Sequence, residues 1–143
     1  MEEGGPGGPI VLYDGVCALC NGTVRFALAR DRARRIRFAP LQGETARGFL
    51  RKWGKEPEVL DTFYLVLDSG TAGERVASRG QAALLLFEEI GGVWRLLGRI
   101  LRALPVRLLD SVYDFIARRR YRWFGRYDSC PVPPAKDRDR FLP

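Results

Sequence analysis

Apolar residues fall into two kinds of pattern along this chain, and their order predicts the elements. Ile10-Val11-Leu12-Tyr13 is an unbroken apolar run followed by Asp14-Gly15, which reads as a buried strand entering a turn. From Asn21 to about Asp31 the pattern changes: Val24 and Leu28, flanked by Phe26 and Ala27, recur at helical spacing with Arg25 and Arg30 outward. Ile36 to Ala39 is a second strand, stopped by Pro40. Ala46, Phe49, Leu50 and Trp53 mark an amphipathic helix over 43–53, ended by Gly54. Thr62 to Leu67 is β-branched and aromatic, and Asp68-Ser69-Gly70 turns it toward a weaker strand at Glu74 to Ala77, a hairpin. Gln81 to Ile90 is helical, Gly91-Gly92 breaks it, Val93 to Leu104 forms another helix, and Pro105 resets the chain for a last one from Val106 to about Phe124. In that last helix Leu108, Val112, Phe115 and Ile116 are expected to face the core. Residues 1–8 are expected to be a disordered tail, and 128–143, with four prolines, an irregular one on the surface.

The order strand, helix, strand, helix, strand, strand, helix predicts an α/β chain. Cys17 and Cys20 follow the first strand and open the first helix, the arrangement of a thioredoxin-like redox motif. The expected fold is therefore a thioredoxin-like βαβαββα core with a C-terminal helical extension. At 143 residues, 46% of them hydrophobic, residues 9–143 suffice for a single domain.

Charge adds a feature that the hydrophobic pattern does not show. The net charge is +7, and between Gly91 and Arg126 nine arginines face only Asp110 and Asp114, so the whole excess lies on the appended helices. Such a region attracts nucleic acid, anionic surfaces or acidic partners. Tyr121, Trp123 and Phe124 are available for stacking on bases. The regular core stripe, and Asp114 placed to pair with Arg118, weaken the nucleic-acid reading and favour a docking face for an acidic partner.

Three cysteines and no histidine narrow the chemistry. Ser-His-Asp and Cys-His nucleophilic mechanisms are excluded, as are H-E-x-x-H metalloprotease sites. Three thiols fall short of the four ligands of a structural zinc site, so an intramolecular zinc would need a carboxylate ligand, and metal handling otherwise falls to a half-site completed by Cys130 or a partner. The beginning MEEGGPGGP has neither the basic start nor the apolar run of a targeting segment. The apolar block from Ala82 to Phe87 is far short of the about 20 residues that cross a bilayer. A cytoplasmic location is expected, where a C-x-x-C is more often catalytic or metal-binding than a structural cross-link.

In disulfide exchange one thiolate attacks and a second thiol resolves the mixed disulfide. Cys17, first in the pair, is expected at the exposed helix end, where unpaired backbone N–H groups stabilise an anion and lower its pKa. Cys20, one turn on, would be the shielded resolving thiol. Asp14 either relays the cysteine proton or closes the turn through its own backbone. Asn21 either caps the helix or is plain surface. Cys130 is either structural or pairs with the site if the tail folds back.

These residues resemble the DCC-type thiol-disulfide oxidoreductases, named for an Asp-x-x-Cys-x-x-Cys motif that stands here as Asp14, Cys17 and Cys20 in YDGVCALCNGTVRF. The resemblance extends to RFAPLQ (37–42), SRGQAAL (78–84), LPVRLLDSVYDFIARRRYRWFGR (104–126) and the late cysteine with Arg140-Phe141-Leu142. It implies a thioredoxin-like fold, Cys17 and Cys20 as the redox pair with Asp14 as accompanying acid, a protein or small-molecule disulfide or thiol as substrate, and no cofactor besides the Cys17–Cys20 disulfide. One departure from thioredoxins proper concerns their proline before the third strand. The matching position here is about Asp61, and Pro57 lies too early.

Overall fold

A computed structural model of the chain describes residues 8–31, 35–54, 63–126 and 135–142. Pro57, Asp61 and Cys130 lie outside the described residues, as does the expected N-terminal tail except Gly8. The Gly8 carbonyl accepts the Ser69 hydroxyl at 2.7 Å and is part of the fold.

Strands β1 (Ile10–Tyr13), β2 (Arg37–Pro40), β3 (Tyr64–Leu67) and β4 (Arg75–Ser78) form one sheet in the order β2-β1-β3-β4. The β1–β2 pair is parallel, and β1–β3 and β3–β4 are antiparallel. Helices α1 (Ala18–Arg30) and α2 (Glu44–Lys52) connect the first strands, and α3 (Arg79–Ile90) follows the hairpin. The chain is α/β with the thioredoxin-like βαβαββα order, and α4 (Gly92–Leu101) and α5 (Val106–Phe124) extend it.

The unbroken apolar runs have a simple cause: both faces of the sheet are covered. Val11 and Tyr13 with Leu65 and Leu67 face α1 and α3, while Ile10 and Leu12 with Tyr64 and Val66 face α2. Alpha-helix α1 begins at Ala18, three residues before the expected Asn21, because Cys17 itself is the N-cap.

Three expectations are overturned. Leu108, Val112 and Phe115 are exposed, and the inward stripe of α5 is Leu109, Tyr113, Ile116, Ala117 and Arg120. The helix carries two apolar stripes, and α3 selects between them by close approach: a Cβ on Gly80 would stand 2.8 Å from the Leu109 carbonyl oxygen. Asp114 pairs with Arg79 rather than with Arg118. Arg79 spans the α3–α5 contact, 2.9 Å from Asp110 and 3.2 Å from Asp114. The C-terminal segment, expected to be irregular, forms a 3-10 helix over Ala135–Arg140 and is anchored in the core. Arg140, fully buried, meets Asp31 at 2.6 Å, Phe141 stacks on Phe38, and the Leu142 N–H donates to the Phe38 carbonyl.

Candidate active site

The site is built where β1 ends and α1 begins. After Tyr13 the chain turns at Asp14, whose carbonyl accepts the Cys17 N–H and whose Oδ1 accepts the Val16 N–H, both at 3.2 Å. Cys17 is in extended conformation at the N-cap of α1, and its sulfur accepts the N–H of Cys20 at 3.3 Å. A first-turn amide that Ser or Asp at the N-cap ordinarily satisfies is met here by a sulfur, which is the arrangement that stabilises a thiolate. Asn21 ties the turn together by donating to the carbonyls of Gly15 and Cys17, at 2.8 and 2.9 Å. It is neither the cap, which is Cys17, nor plain surface: half-buried inside the first turn of α1, it ties the loop to the helix start.

Both cysteines are free thiols. Cys17 was expected at an exposed end and is instead fully buried, at 0% exposure, while Cys20 keeps 9%. The reason is the far end of α5. The Gly125 carbonyl accepts the Ala18 N–H at 3.2 Å, and Arg126 bridges Cys17 in antiparallel fashion. The Arg-rich extension is therefore part of the site and not an appendix to it.

Asp14 is likewise buried, held from three directions. Gln42 donates to its Oδ1 at 2.8 Å, the Tyr121 hydroxyl donates to its Oδ2, and Arg120 lies 3.2 Å from the same oxygen. Gln42 also accepts the Gly15 N–H at 3.0 Å. Arg120 is only 5% exposed, so this arginine is no part of a solvated face. Asp14 both closes the turn and pairs with a buried cation.

The electrostatics separate the two thiols. Hydrogen bonds from the Cys20 thiol and, after it, the Cys20 backbone N–H, together with the Arg120 cation, outweigh burial and the Asp14 charge and bring Cys17 from 9.0 down to about 7. Cys20 moves the other way: its hydrogen bond to Cys17, then burial, push it well up. One sulfur is thus prepared to be an anion and the other to keep its proton. Beside Cys20 lies a cavity of about 180 Å³, almost wholly apolar, bordered by Leu19, Thr23, Phe63, Tyr113 and Arg120.

Over residues 11–126 the sequence matches the family described as DCC1-like thiol-disulfide oxidoreductase. The chain belongs to this family. The uncharacterized protein YuxK of Bacillus subtilis is 39% identical over 134 residues, covering 94% of this chain and 93% of that one. A DCC family protein of Arabidopsis thaliana, named as chloroplastic, is 37% identical over 124 residues, or 87% of this chain and 69% of that one. No solved structure matches. Membership in the DCC1-like family carries a general thiol-disulfide redox role, with thiols or disulfides as substrates. Among the described residues no helix is long and apolar enough to cross a membrane.

The structure brings Asp14, Cys17 and Cys20 together within one turn, and adds Gln42, Arg120 and Tyr121. Sequence reasoning missed these three. A signal for Arg120 was present: it continues the 109, 113, 116 spacing, and a charge on a core stripe calls for a buried counter-charge. Gln42 had no such signal, because only the β1–β2 register places it beside Asp14.

Proposed function

We propose that the chain is an enzyme that exchanges disulfides through Cys17 and Cys20. The observation that carries this reading is Cys17 at the N-cap, its sulfur receiving the Cys20 amide beside Arg120. The Cys17 thiolate attacks one sulfur of a substrate disulfide, forming a mixed disulfide and releasing the first substrate thiolate. Cys20 then gives up its proton and attacks the Cys17 sulfur, which releases the second substrate thiolate and leaves a Cys17–Cys20 disulfide. The substrate is reduced by two electrons and the pair oxidised by two. A dithiol reductant restores it, and the reverse sequence oxidises a substrate dithiol.

Two features shape this step. Asp14 fixes the turn and moderates the positive field of Arg120, acting as a positioning residue. The segment Gly125–Arg126 covers Cys17, so attack requires that segment to move aside. A reducing compartment such as the cytoplasm keeps the pair in the dithiol state.

The test is trapping. Cys20→Ser protein mixed with disulfide substrates should accumulate a mixed disulfide at Cys17, detectable by mass and released by dithiothreitol. Cys17→Ser protein should lose turnover. Full turnover by Cys17→Ser, or no Cys17–Cys20 disulfide under mild oxidant, rejects the reading.

A further inference from the structure

Helices α4 and α5 are held on α3 by close contacts, at Gly80 as described and at Gly98, where a Cβ would stand 2.7 Å from the Leu84 carbonyl oxygen. Their inward faces are thereby occupied, yet each helix carries a second apolar face. On α4 it is Val93, Leu96, Leu97 and Ile100; on α5 it is Leu108, Val112, Phe115 and Trp123. Leu96, Ile100 and Trp123 are 58%, 59% and 53% exposed. Leu104 and Val106, also exposed, continue the apolar run through the turn between the helices. Single exposed apolar residues are ordinary, but an apolar run along two consecutive helices marks an interaction surface.

Cations border this surface. The Arg119 guanidinium lies 4.1 Å over the Phe115 ring. Arg118 and Arg122 are exposed beside the α5 stripe, and Arg99 and Arg107 are exposed on the same two helices. Among the described residues none of these four has an ion-pair partner.

We infer that this face docks on an anionic lipid bilayer, with both helices lying in the interface, the apolar stripes among the acyl chains and the arginines at the headgroup phosphates. Amphipathic cationic helices carrying Trp, Phe and Leu bind in this way. Neither helix crosses the bilayer. Nucleic acid fits less well, because it would engage arginines and rings while leaving the Leu, Val and Ile positions in water. A second copy meeting across a two-fold axis would set the +7 segment against itself. Trp123 and Phe124 immediately precede the Gly125–Arg126 cover of Cys17, so the docked edge adjoins the thiol site. The inference does not depend on thiol chemistry, and the variants below leave Asp14, Cys17, Cys20 and Arg120 unchanged.

The test is co-sedimentation of the full chain with vesicles of phosphatidylcholine alone or with one quarter phosphatidylglycerol. Binding to the anionic vesicles should be roughly tenfold or more tighter, and should weaken at high salt. Leu96→Gln/Ile100→Gln and Phe115→Gln/Trp123→Gln should lose binding while melting close to the parent, since all four side chains are exposed. Arg118→Gln/Arg122→Gln should lose the preference for anionic lipid. The inference is overturned by no sedimentation with anionic vesicles at low salt, by apolar variants that bind like the parent, or by the same variants abolishing a dimer or nucleic-acid complex in a chain that ignores vesicles.

Discussion

The guanidinium of Arg120, near the end of the last helix, lies 3.2 Å from the carboxylate of Asp14, in the turn after the first strand. This buried pair joins the two ends of the domain directly beside Cys17, and its members act on that thiol with opposite sign. Arg120→Gln removes a cation and should raise the Cys17 midpoint above about 7, whereas Asp14→Asn removes an anion and should lower it. Arg120→Lys should fall between parent and Gln. Thiolate absorbance near 240 nm against pH reads all three on protein checked for folding by circular dichroism. Each of the Gln and Asn variants leaves a partner charge buried, at about 3–5 kcal/mol of stability. Shifts of the same sign in both would mean that the pair acts only through structure.

The separation of the thiols also predicts a stability profile for the reduced protein. Between pH about 7 and 9 the unfolded chain still holds the Cys17 proton that the folded chain has lost, so stability should rise with pH in that window. Cys20 is pushed up, so above about 9 the unfolded chain releases a proton that the folded chain retains, and stability should fall. Urea midpoints under reductant at pH 6.5, 8, 9 and 10 test both limbs. Cys17→Ala should flatten the rising one, and a rise unchanged in that variant would assign it to another group.

Which parts of this were legible in the sequence follows from which physics was local. The β1 run, the α2 stripe and the hairpin turn at Asp68-Ser69-Gly70 are short-range patterns, and they appear where the residues placed them. So does the C-x-x-C at a helix start. What was not legible depends on contacts between distant segments. Leu108 and Leu109 differ by one position and are equally apolar, and only docking on Gly80 decides that Leu109 turns inward. The burial of Cys17 depends on Gly125 and Arg126, more than a hundred residues away in sequence, and no spacing near Cys17 announces them.

The C-terminal segment should behave as part of the core. Arg140 donates through Nε to the Ile36 carbonyl and meets Asp31, which itself accepts the Ile36 N–H at 2.8 Å. Arg140→Met leaves the Asp31 carboxylate buried without its cation, and should cost about 3–5 kcal/mol. Removing everything after residue 134 should cost at least as much, since the Phe141 ring on Phe38 goes too. Chemical denaturation measures both. A truncated chain within 0.5 kcal/mol of the parent would show that the segment is not structural.

Two glycine-to-alanine changes should move stability in opposite directions. In a helix interior alanine is favoured over glycine by about 1 kcal/mol. At Gly48, in α2, an added Cβ meets nothing within 4 Å, so Gly48→Ala should stabilise by up to about that amount. At Gly98 the new atom would stand 2.7 Å from a backbone oxygen of Leu84, which cannot swing aside as a side chain end does. Gly98→Ala should therefore force α4 off α3 and lose about 1–3 kcal/mol despite the better propensity. It should also disturb the edge-on contact of Trp94 with Phe26, whose centroids lie 4.9 Å apart, so tryptophan fluorescence should change with stability in Gly98→Ala and stay constant in Gly48→Ala. Stabilisation by both would mean that α4 is not packed on α3 at this distance.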